Sequence, residues 1–140
     1  MYKIRLYNLM NNYFSKYKIF FYLSNLVLII LYLYPGSLLG CFFYNNCNLQ
    51  PQFTRDFIIS SNHFYSFFIL SVIGLLTYHN QKKINFLTTY LILLSISLEI
   101  LHVFISVRSF EFSDLFGNLL GVFIVLIIYF FLKKNEKFKN

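Results

Sequence analysis

The sequence predicts an all-α protein: a four-transmembrane-helix antiparallel bundle with both termini cytoplasmic. Three observations carry that prediction. The 140-residue chain is 58% hydrophobic and 12% charged, with a mean hydropathy of +0.61, whereas a soluble domain carries about 25% charged residues. Four apolar runs approach the roughly 20 residues that cross a hydrocarbon core about 30 Å thick. Of the 12 Lys and Arg residues, all but Arg55 and Arg108 lie in the lead, the Lys82–Lys83 loop or the tail. That bias puts those three segments on the cytoplasmic side.

A net charge of +7 would point to nucleic acid in a soluble protein. Here the charges flank apolar runs, so membrane lipids, not nucleic acid, are the expected partner. The 19 Phe and 12 Tyr accompany abundant Ile, Lys and Asn and no Trp. That composition reads as AT-rich coding, not as an aromatic binding surface.

The lead, 1–18, carries Lys3, Arg5, Lys16 and Lys18. Tyr2, Leu6, Leu9, Tyr13 and Tyr17 recur in it at helical spacing. It reads either as a basic amphipathic helix in the interface or as a frayed entry to the first span. The membrane domain covers 19–132. Its first span is expected over 19–39, with Pro35 and Gly36 near its far end, where a helix stops at little cost. Ser37-Leu38-Leu39-Gly40-Cys41 approaches a lipoprotein cleavage box. The long lead, the span-length apolar run and the spans that follow favour a retained helix. The loop 40–56 is rich in Asn and holds both cysteines, Cys41 and Cys47. On the outer side they can pair in a small disulfide loop or equally stand as two free thiols near the membrane; two cysteines alone do not make a zinc site.

The second span is expected over 57–78, with Ser60, His63, Phe67, Ser71 and Gly74 on one face. Small residues there, Gly74 among them, mark a helix-packing face. The third is expected over 86–106 and the fourth over 114–132, joined by a turn at 107–113 holding Arg108 and Glu111. A basic tail, 133–140, follows.

The stretch 95–121 is unusual for lipid. It holds Glu99, Glu111 and Asp114, three of the five acidic residues. A carboxylate at a helix centre costs roughly 2.5–3.5 kcal/mol on insertion scales. His63 lies about six residues, roughly 9 Å, below the outer end of its span, at a depth similar to Glu99, His102 and Asn118. Glu99, His102 and Ser106 share a helix face, as do Asp114, Asn118 and Gly121. Gly121 permits close approach of another helix. Asp114, near a helix amino end, is placed to cap free N–H groups and meet the positive dipole end.

Several readings fit this outer cluster. The polar groups can bond one another and lock the bundle. They can instead line a pocket for a lipid headgroup or another polar ligand, with Arg108 holding an anion and His63, Glu99, His102, Asp114 and Asn118 around it. Glu99-Ile100-Leu101-His102 also has the E-x-x-H spacing of di-iron bundles, but the chain has one such pair where a di-iron site needs two. A single ion on His63, Glu99, His102 and Asp114 is the remaining metal reading. The residues alone assign no metal, no cofactor, no oligomeric state and no reaction; a general base would need hydrogen-bond reach to a substrate proton. A proton pathway is disfavoured because no ionisable residue lies in the inner half of any span.

At these residues the chain resembles the VanZ-like family of small bacterial membrane proteins. The resemblance rests on Glu99 and His102, then Arg108, then the run Asp114-Leu115-Phe116-Gly117-Asn118-Leu119-Leu120-Gly121, with His63 upstream. It covers most of the chain. The family usually has Gln where His102 stands, and Asp and Lys where Ile59 and Ser60 stand. The resemblance implies a four-helix protein of the bacterial cytoplasmic membrane with a cell-envelope role. The associated phenotype is resistance to lipoglycopeptide antibiotics such as teicoplanin, and the implied ligand is cell-wall or lipid-linked.

Overall fold

The computed structural model describes the backbone of residues 2–78 and 81–137 and the side chains of residues 18–78 and 83–134. Among the described residues the protein is all-helical: α1 (Tyr2–Leu33), α2 (Leu38–Tyr44), α3 (Ser61–Thr77), α4 (Gln81–Leu101), a 3-10 turn (His102–Phe104) and α5 (Phe112–Lys137). Two helical stretches, Lys83–Phe104 and Phe112–Lys134, are long and apolar enough to cross a membrane; a third is added if α1 and α2 form one broken span.

The first span differs most from expectation. In place of one helix over 19–39 there are two, meeting at 85°. Pro35 disfavours helical backbone at Tyr34, and Gly36 takes a φ of +102°, a region that suits glycine. Ser37 then caps α2, its Oγ accepting from the Gly40 N–H at 3.0 Å. Asn45, at φ +50°, ends α2 in the left-handed conformation. The chain doubles back so closely that a Cβ on Gly40 would overlap the Leu49 carbonyl. Cys41 and Cys47 are joined by a disulfide across this reversal.

Span two is shorter than the expected 57–78. Residues 57–60 are not helical, and α3 has 17 residues, about 25 Å at 1.5 Å each. The preceding loop is tied to the start of α3. Asp56 Oδ1 accepts the Ser61 N–H at 2.7 Å, Ser61 Oγ donates to the Thr54 carbonyl, and Asn62 Nδ2 donates to the Pro51 carbonyl. Helix α4 starts earlier than expected, at Gln81, and α5 extends beyond 132 to Lys137. The tail is therefore helical as far as it is described; residues 138–140 lie outside the described residues. The lead belongs to the continuous helix α1, and the amphipathic face expected for it rests on side chains outside the described residues.

The core joins Phe21 and Leu28 of α1, Phe67 and Leu70 of α3, Leu87, Leu91 and Leu98 of α4, and Val122, Val125 and Leu126 of α5. Many other large apolar side chains face outward, including Phe20, Leu23, Ile69, Leu93, Ile127 and Phe131, as lipid-facing residues do. The tightest seam is α3 against α5. Gly117 and Gly121 form it, four residues apart, the spacing that lets two backbones touch. Gly74 lies instead against the side chains of Leu87 and Phe21. At that end of the bundle Tyr22 bonds Tyr78 at 2.9 Å and Asn25 bonds Tyr90.

A Cβ on Gly121 would lie 2.5 Å from the Phe64 carbonyl oxygen and 2.8 Å from the Phe68 nitrogen, both backbone atoms. On Gly74 it would meet only side-chain carbons at 3.0–3.2 Å, which can rotate. Gly121→Ala is therefore expected to cost about 1–3 kcal/mol by forcing the helices apart. Gly74→Ala is expected to be nearly neutral, because a helix-propensity gain of about 1 kcal/mol offsets the adjustment. Thermal melts of the two variants in the same detergent, followed by helical circular dichroism, compare them directly.

Candidate functional site

The polar cluster forms where the carboxyl ends of α1 and α4 meet the amino ends of α3 and α5. Each helix supplies residues for a local reason. Tyr32 stands one turn before the Pro35 break, so its side chain lies at the end of α1. His63 is in the first turn of α3. Glu99 and His102 flank the point where α4 tightens into the 3-10 turn. Asp114 is in the first turn of α5 and Asn118 one turn later.

Asn118 is fully buried and centres the network. Its Oδ1 accepts from the Tyr32 hydroxyl at 2.6 Å and faces His63 Nδ1 at 3.2 Å; its Nδ2 donates to the Ser95 carbonyl at 3.5 Å. His63 Nε2 lies 3.3 Å from Asp114 Oδ2. His102 Nε2 lies 3.1 Å from the Tyr32 carbonyl, and its Nδ1 is 3.4 Å from Glu99 Oε2. The Tyr32 ring packs edge-on against His63 and stacks on His102, with centroids 4.8 and 5.8 Å apart.

Glu99 has 0% exposure. Its Oε1 accepts the Glu111 N–H at 2.9 Å. Glu111 immediately precedes α5, and its carbonyl accepts from Asp114 N and Leu115 N, so Glu99 anchors the residue that starts the helix. Its Oε2 has no hydrogen bond.

The structure thus brings His63, Glu99, His102, Asp114 and Asn118 into one cluster. Asp114 turns its carboxylate toward His63, with Ser113 Oγ 3.4 Å away. Arg108 stands beside the cluster and borders its larger hollow. Its Nε donates to the Tyr34 carbonyl at 3.2 Å, and its Nη2 to those of Gly36 at 2.6 Å and Leu31 at 3.4 Å. It closes the broken end of α1, whose last carbonyls have no intrahelical donor. Three contributors escaped the sequence reading. Tyr32 carried no signal among twelve tyrosines, and the Glu111 N–H is a backbone group. Gly117 was detectable, because Gly117 and Gly121 form a G-x-x-x-G pair.

Two hollows reach the cluster. One of about 380 Å³ is bordered by Asn48, Gln50, His102, Arg108, Glu111 and Asp114, among others. A smaller one, of about 80 Å³, reaches His63 and Arg108 from the side of the 50–53 loop. Asp114, at 19% side-chain exposure, connects the buried network to the larger hollow. A polar ligand entering there meets a cation, two carboxylates and an imidazole.

Comparison with models of protein families, with curated proteins and with solved structures finds no match to this chain.

Asn118 and Tyr32 differ in how many partners depend on them. Tyr32→Phe removes one donor from an oxygen that His63 still faces, at an expected cost of about 1 kcal/mol. Asn118→Leu strands the Tyr32 hydroxyl and the His63 ring together, at about 1–3 kcal/mol for each buried group. Melting temperatures in matched detergent should therefore fall much further for Asn118→Leu.

Proposed function

We propose that this is a VanZ-like, multi-pass protein of the bacterial cytoplasmic membrane. Four helices cross in antiparallel order with both termini cytoplasmic. The outward-facing polar pocket receives the head of a lipid-linked or anionic surface ligand. The observation that carries this reading is the hollow of about 380 Å³ against Arg108, His102, Glu111 and Asp114. Sites that fix ligands combine a concave space with a few convergent polar groups. Arg108 presents a positive wall held by the carbonyls of Tyr34 and Gly36, just past the end of α1. Glu111 and Asp114 offer acceptors to hydroxyl or amine donors on the same head. No reaction is assigned.

The topology rests on the Lys and Arg bias and gains support from the Cys41–Cys47 disulfide, which suits an oxidising compartment. A membrane-impermeant maleimide should label both cysteines in intact cells, and only after mild reduction. Labelling that requires permeabilised cells would put this loop inside and reverse the orientation.

A second reading has its own observation. Arg108 is bonded to three backbone carbonyls and Asn118 links helices, so the cluster can serve only to lock the bundle. Ser109→Trp and Asn48→Trp separate the two, because both residues border the hollow and neither belongs to the buried network. Teicoplanin susceptibility in a heterologous bacterial host, at matched membrane abundance, is the readout. Under the pocket reading, wild type protects and both tryptophan variants lose protection. Protection that survives both substitutions favours the lock. No protection by wild type removes the resistance phenotype.

A further inference from the structure

Two histidines in the cluster have their tautomers set by neighbours that can only accept. The Asn118 Nδ2 points at the Ser95 carbonyl, so its oxygen faces Tyr32 and His63. An amide oxygen donates nothing; His63 therefore carries hydrogen on Nδ1, and in the neutral ring Nε2 is bare. That bare nitrogen faces Asp114 Oδ2 at 3.3 Å. His102 is fixed in the same way. The Tyr32 carbonyl beside its Nε2 requires hydrogen there, leaving a bare Nδ1 3.4 Å from Glu99 Oε2. Twice, then, a nitrogen lone pair meets a carboxylate oxygen. Glu99 Oε2 is buried without a hydrogen bond.

Lone pairs and two carboxylates converging in so dry a site require positive charge between them. Two protons, one per imidazole, would supply it, and so would one divalent cation. The two-proton arrangement places imidazolium rings 6.2 Å apart, and like charges at that separation in a buried site oppose each other. A single ion shared by Glu99 and Asp114 supplies the positive charge without two facing imidazolium rings. One donor atom each from His63, Glu99 and Asp114 lies within 4.8 Å of the other two. Donors held about 2.0–2.2 Å from a tetrahedral zinc ion stand about 3.3 Å apart, so small side-chain rotations close the set.

We propose that His63, Glu99 and Asp114 bind one divalent transition-metal ion at the end of the bundle, with the His102 imidazole beside Glu99 Oε2. One imidazole with two carboxylates is a borderline donor set that suits zinc better than magnesium or calcium. Asp114 borders the larger hollow, which gives the ion a way in. The site stands apart from the ligand reading: the ion would knit α3, α4 and α5 whether or not a headgroup binds.

The test uses the full chain, without a polyhistidine tag, in lipid nanodiscs after stripping with EDTA. Calorimetric titration with Zn²⁺ should give one equivalent bound to wild type. Glu99→Gln and Asp114→Asn should weaken binding by roughly 10–100-fold or more. Titration with Co²⁺ needs no variant and should produce the visible d–d bands of a low-symmetry, four- or five-coordinate ion. Absence of stoichiometric Zn²⁺ binding and of those bands in wild type overturns the proposal in favour of two protons. Equal binding by wild type and both variants overturns it too, by placing the ion elsewhere. If Glu99→Gln fails to accumulate, Asp114→Asn and the cobalt spectrum decide.

Discussion

The Asn118 carboxamide is the contact on which the rest of the structure depends. It sits on α5, accepts from Tyr32 of α1, faces His63 of α3 and donates to the Ser95 carbonyl of α4. One side chain thus meets all four long helices. Where water is excluded, a polar group must find its partners inside the bundle. A helix rotated, or slipped by a turn, would leave a buried donor or acceptor unpaired, at about 1–3 kcal/mol. Apolar side chains are more forgiving, since one leucine contact can replace another. The amide therefore selects one register among many that bury similar apolar area. It reaches its partners because Gly117 and Gly121 let α5 lie directly on the α3 backbone.

The break in the first helix turns that lock into a site. The expected first span ran on to residue 39. Pro35 and Gly36 stop it, α2 leaves at 85°, and the disulfide holds the reversed chain to one side. The exposed carbonyls at the end of α1 then need donors, and Arg108 provides them. The same guanidinium borders both hollows. Local backbone chemistry at two residues thus sets where the Arg108 cation is held.

Most of the cluster's membership was legible. His63, Glu99, His102, Asp114 and Asn118 stand out because polar residues are rare and costly in apolar runs, and helical spacing puts them on shared faces. Their matching depths follow from counting residues along each run. What did not show was who bonds to whom. Arg108 read as a ligand holder, and the partners its guanidinium has, carbonyls at the broken end of α1, could not be seen in a segment expected to run straight through. Tyr32 is important only because α1 stops just beyond it. The Glu111 contribution is a main-chain N–H, which has no residue-type signature. The early start of α4 and the late start of α3 moved element ends by several residues without moving the cluster, because the polar residues are anchored to one another and not to the helix ends.

Composition, hydropathy and period are local properties, so the sequence alone determined that the chain is helical and apolar, which residues are out of place in lipid, and which end of the molecule they share. Tertiary structure decided the rest. The partners of each polar group lie 55 residues apart for His63 and Asn118 and 86 apart for Tyr32 and Asn118, and their meeting depends on the relative rotation and height of separate helices. No local pattern encodes those two variables. They are set when glycine contacts, the proline break and the hydrogen-bonding demands of buried groups are satisfied together, and only then do two ring nitrogens come to face two carboxylates.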